Sequence, residues 1–122
     1  MHNRIITLLA TVAMAGGLIG CSKKLTYAND VELLLKENCG ECHTGHQLGV
    51  MASGLSFDTH ETLMRGTKSG PVIVPGSSAS STLYQMVSGQ TGFSTPVHRD
   101  KLPLSIAQAE VIKIWIDQGA EK

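Results

Sequence analysis

Large rings are scarce in this sequence. Aromatic residues make up 4% of its 122 positions, as one Trp, two Phe and two Tyr. A compact core usually holds more of them, so something other than aromatic side chains is expected to fill its middle. Net charge is missing too, since ten Lys and Arg balance ten Asp and Glu. With no basic run, nucleic acid is not an expected partner, and no strong electrostatic steering patch is expected. The longest apolar stretch, Ile5 to Gly20, is broken by Gly16, Gly17 and Gly20; a membrane-spanning helix needs about 20 apolar residues. Cysteine is limited to Cys21, Cys39 and Cys42. That leaves no second pair for a structural zinc site, which takes four ligands. The length predicts one domain.

The N-terminus has the layout of an export signal. Met1 to Arg4 carries one Arg, Ile5 to Gly20 is apolar and uncharged, and polar residues begin at Ser22. Leu18-Ile19-Gly20-Cys21 resembles the lipobox of bacterial lipoproteins. The resemblance implies a diacylglyceryl group on the Cys21 sulfur and cleavage that makes Cys21 the new N-terminus. Acyl chains contribute about 0.8 kcal/mol per buried CH₂ to membrane binding. The expected organisation is a signal peptide over residues 1–20, a tether over 21–29 and one domain over 30–122. An exported chain meets an oxidising compartment, where unmodified thiols do not persist.

The remaining two cysteines lie in Cys39-Gly40-Glu41-Cys42-His43. A redox disulfide would sit near a βαβ pattern, but the residues before Cys39 read as a short helix over 29–37, with Asn29 as N-cap and Glu32 completing a capping box. Zinc lacks its second ligand pair. C-x-x-C-H is the signature of covalent haem attachment. The two thiols add to the porphyrin vinyl groups as thioethers, and His43 is held beneath the iron as its proximal ligand. Attachment consumes both thiols, and the porphyrin supplies the flat apolar mass that the ring-poor sequence lacks. One haem c, held by Cys39, Cys42 and His43, is the expected cofactor.

Downstream, residues 44–54 read as a glycine-rich loop and 61–65 as a short helix stopped by Gly66. Pro71 and Pro75 bracket an extended stretch. Ser77 to Ser81 offer caps for a helix through Leu83, Tyr84, Met86 and Val87. Ser105 and Gln108 form a capping box for a last helix with the apolar stripe Ile106, Ala109, Ile112 and Ile116, widened by Trp115 and closed by Gly119. Ile112, Trp115 and Ile116 are expected to be core.

These features together resemble a small class I-type cytochrome c. Gly54-Leu55-Ser56-Phe57-Asp58, Gly70 to Gly76, Ser81-x-Leu83-Tyr84 and Trp115 to Ala120 resemble the planctomycete-type cytochrome c domain. The resemblance implies an all-α fold of few short helices around one haem, with terminal helices crossing beside it. That family usually supplies the sixth iron ligand from a Met-Pro pair before the final helix. Here residues 94–103 contain no Met, and Leu102-Pro103 stands where the pair is expected. His98 lies in the same loop and is the expected distal ligand, with Met51, Met64, Met86 and His60 as alternatives. The function expected is single-electron transfer between redox proteins of the cell envelope, at a membrane reached through the lipid, with no catalysis. A haem sensor with an open sixth site, or a haem subunit of a larger oxidoreductase, is the alternative.

Overall fold

Thr26 sets the first helical element. Its hydroxyl accepts from the Asn29 amide at 3.3 Å, and its own amide donates to the Asp30 carboxylate at 3.0 Å. This reciprocal cap starts a π-helical turn, Tyr27–Val31, which runs directly into α1, Glu32–His43. The cap expected at Asn29 is therefore at Thr26, and Glu32 pairs instead with Lys36 at 2.6 Å. The computed structural model describes residues 22–90, 98, 100 and 102–122; residues 1–20, Cys21, 91–97, 99 and 101 lie outside the described residues.

Four further helices follow: α2, Leu48–Ser53; α3, His60–Arg65; α4, Thr82–Val87; and α5, Ile106–Asp117. A 3₁₀ turn, Ser78–Ser80, precedes α4. Helix α2 occupies the stretch expected as loop. Gly45 (φ 55°) and Gly54 (φ 82°) lie outside the helix, not within it. Gly54 is its left-handed cap, donating to the Val50 carbonyl at 2.7 Å. Helix α3 starts on a Thr59–Thr62 capping box and ends at Gly66. Helix α5 starts on the expected Ser105–Gln108 box. Among the described residues there is no strand, only an isolated bridge between Thr67 and Gly70. The fold is all-α, as a small cytochrome c-like fold requires, and no described helix is long and apolar enough to cross a membrane.

Three of the five rings lie together in the core. Tyr27, Phe57 and Trp115 are all buried, with Val31, Leu35, Leu63, Ile112 and Ile116 around them. Their polar ends are satisfied: Tyr27 Oη donates to the Phe57 carbonyl at 2.9 Å and Trp115 Nε1 to the Glu121 carbonyl at 2.8 Å. Burial, reinforced by the carboxylates of Glu32, Asp58 and Glu61, pushes the Tyr27 phenol up to about 12. It therefore stays a donor throughout the neutral range.

The stripe of α5 differs from expectation at one end. Ala109, Ile112, Trp115 and Ile116 are buried, but Ile106 is 90% exposed. Leu104, buried and donating its amide to the Val87 carbonyl at 2.9 Å, fills the core at that end instead. Ile112→Ala is expected to destabilise the domain by about 2–5 kcal/mol. Ile106→Ala should stay within about 0.5 kcal/mol of wild type. Urea denaturation midpoints of the two variants check this contrast.

Candidate cofactor site

Helical geometry explains the spacing of Cys39-Gly40-Glu41-Cys42-His43. Helix α1 runs through the whole motif, so Cys39, Cys42 and His43 stand at i, i+3 and i+4 and share one helical face. Cys39 is half-buried against the core and Cys42 is exposed, with no disulfide between them.

The imidazole of His43 is held from three sides. Its Nδ1 lies 3.0 Å from the Leu55 carbonyl oxygen. A carbonyl only accepts, so Nδ1 carries the proton and Nε2 keeps its lone pair for a metal. The Phe57 ring packs against it, with centroids 5.4 Å apart and planes at 59°, and the Phe57 amide donates to the His43 carbonyl at 2.8 Å. Gly49 of α2 forms the third side. A Cβ there would lie 2.5 Å from the Cys42 carbonyl oxygen and 3.0 Å from His43 Cε1. The α2 backbone therefore approaches the motif as closely as only glycine permits.

The returning chain is fastened by Asp58. Its carboxylate accepts from the Gly45 amide, at 3.1 and 2.9 Å to the two oxygens, and from Ser56 Oγ at 2.7 Å. Ser56 Oγ in turn accepts from the Asp58 amide at 3.1 Å. The Ser56 hydroxyl first, then the Gly45 amide, hold the Asp58 carboxyl below the usual carboxylate range.

The structure brings His98 to His43 and takes His60 elsewhere. The ring centres of His43 and His98 are 6.2 Å apart and their planes are 14° from parallel. Two imidazoles sharing one metal each place a nitrogen about 2 Å from it, with the ring centre roughly 1 Å further, giving centres about 6 Å apart. His60 donates from Nε2 to the Ala120 carbonyl at 2.7 Å and stands edge-on to Tyr27 and Trp115. Met64 packs against the core, and Met51 is 62% exposed. Among the described residues no group of three or more His, Cys, Asp or Glu is gathered as a zinc site would require.

Two thiols and an imidazole with its Nε2 lone pair available, all on one helical face, suit attachment of a porphyrin through two thioethers. Cys-x-x-Cys-His is the attachment set of a cytochrome c domain, a class that carries haem c covalently, serves electron transfer and works outside the cytoplasm. Residues 39–94 match the family model described as Planctomycete cytochrome C, so the resemblance read from the motifs holds for that segment. The match begins at the first thiol and stops short of His98. No curated protein and no solved structure matches the chain. Cys21 lies outside the described residues.

Sequence reasoning passed over Gly49, the Leu55 carbonyl and the Asp58 clamp. Gly49 carried no signal of its own, because in a stretch read as a glycine-rich loop it is one glycine of several; only the helix makes its close contact visible. Gly49→Ala is expected to cost about 1–3 kcal/mol by overpacking and to disturb the His43 orientation, read by urea denaturation and by the Soret band of the haem-loaded protein. Asp58 contributes stability that is fully present above the carboxylate's unfolded value and is lost as pH falls through its lower folded value. Wild-type thermal midpoints should therefore fall as pH drops from about 5 towards 2, and those of Asp58→Asn should start lower and fall less. Circular dichroism melts across that range check the difference.

Proposed function

We propose that this chain is a lipid-anchored monohaem cytochrome c that passes single electrons between redox proteins of the cell envelope. Cys39 and Cys42 anchor the porphyrin, His43 is the proximal ligand, His98 the distal ligand and Cys21 the lipidated residue. The observation that carries this reading is that one face of α1 presents both thiols and His43, with the His98 ring centre 6.2 Å from that of His43. Bound haem c supplies a one-electron iron couple, and two imidazoles leave its potential lower than a Met/His pair would. The Leu55 carbonyl strengthens His43 as a donor by holding the Nδ1 proton.

Two exposed apolar side chains support a protein partner. Leu48 is 76% and Met51 62% exposed on α2, the helix whose backbone touches the motif. Two such groups three residues apart on one short helix are a candidate contact surface beside the site.

Optical spectra of the purified protein, ferric and ferrous, with and without carbon monoxide, test the reading. Wild type should give a c-type ferrous spectrum that ignores carbon monoxide, and His98→Ala should bind it. An unchanged His98→Ala spectrum would remove His98 as ligand. Rapid carbon monoxide binding by wild type would replace electron transfer with ligand sensing. Loss of covalent haem in Cys39→Ser and Cys42→Ser, scored by denaturing gel and haem stain, checks the attachment.

A further inference from the structure

The segment that follows Cys21 is pinned to the C-terminal end of the fold. The Leu25 amide donates to Gln118 Oε1 at 2.7 Å, and Gln118 Nε2 donates to the Lys23 carbonyl at 3.1 Å. The Gln118 side-chain amide thus pairs with the backbone of residues 23 and 25 as an adjacent strand would. The Tyr27 amide donates to the Glu121 carbonyl at 2.9 Å, and Lys24 pairs with Glu121 at 2.6 Å. Lys23 pairs with Asp30, and Leu25 packs against the core. Of the nine-residue stretch expected as a tether, 21–29, only Ser22 separates Cys21 from the first fixed residue.

We propose that this docked segment holds the lipidated domain directly against the bilayer headgroups in one orientation, with the face formed by Lys23, Lys24, Glu121 and Lys122 towards the membrane. The inference rests on the lipidation of Cys21 proposed above. Two residues span at most about 7 Å, whereas a flexible tether over 21–29 would let the domain range over about 15–18 Å. The charges of this face pair off, Lys23 with Asp30, Lys24 with Glu121 and Lys122 with Glu61. Counted with these three carboxylate partners, the three lysines leave no surplus of either sign, so the orientation comes from the chain and not from lipid charge. It therefore holds on zwitterionic and anionic membranes alike. The haem motif on α1 then keeps a fixed height above the bilayer, and a redox partner must present its own centre at that height.

Two measurements on the full-length lipidated protein test this. Neutron reflectometry on supported zwitterionic bilayers should find the wild-type protein layer adjoining the headgroups. Ten Gly/Ser residues inserted between Ser22 and Lys23 should open a hydrated gap of about 16–19 Å. Exchange of the Leu25, Thr26 and Tyr27 amides should be slow in wild type, and that of Leu25 about tenfold faster in Gln118→Ala, with the rest of the domain unchanged. A hydrated gap in wild type, or exchange of the Leu25 and Tyr27 amides at the unfolded-chain rate, overturns the inference while leaving the lipid anchor intact. An intact mass without acyl chains, together with protein that washes off the bilayer, removes the lipid anchor itself, and the inference falls with it.

Discussion

His43 Nδ1 reaches the Leu55 carbonyl at 3.0 Å only because the chain doubles back between residues 44 and 54. Each feature of that return serves the approach. Gly45 turns the chain out of α1 with φ at 55°, α2 packs backbone to backbone against the motif at Gly49, and Gly54 ends α2 in a left-handed cap. Asp58 then ties the end of the return to its beginning through Gly45. Loosening any of these would let the imidazole rotate, and a metal ligand that rotates loses both its tautomer and its aim.

The shortage of rings is met by placement. Tyr27, Phe57 and Trp115 connect the start of the fold, the return loop and the last helix, so three side chains serve several contacts each. Phe57 stands at the junction: its ring packs against His43, its amide donates to His43 and its carbonyl accepts from Tyr27. The core and the cofactor site therefore share a residue, which couples the stability of one to the geometry of the other.

Much of this was legible before the structure was seen, for local reasons. The α5 start follows from the Ser105–Gln108 box, and the lack of a helix between Pro71 and Pro75 from the two prolines. The motif residues announced themselves by spacing alone. What escaped depended on distant parts of the chain. Thr26 displaced Asn29 as the cap because Asp30 turns back to it, and Ile106 left the stripe because Leu104 fills its place. Helix α2 was hidden because six residues give too short a period to register. The Leu55 carbonyl, a backbone group, has no signature in side-chain identity at all.

The bond between the Tyr27 amide and the Glu121 carbonyl brings the two ends of the described chain to one face. Chain entry and chain exit thus share a single side of the domain, and the rest of the surface is uninterrupted by either. Any segment joined after Lys122 would leave from beside the point where residue 23 comes in. Such a fusion would be stationed next to whatever holds the N-terminus.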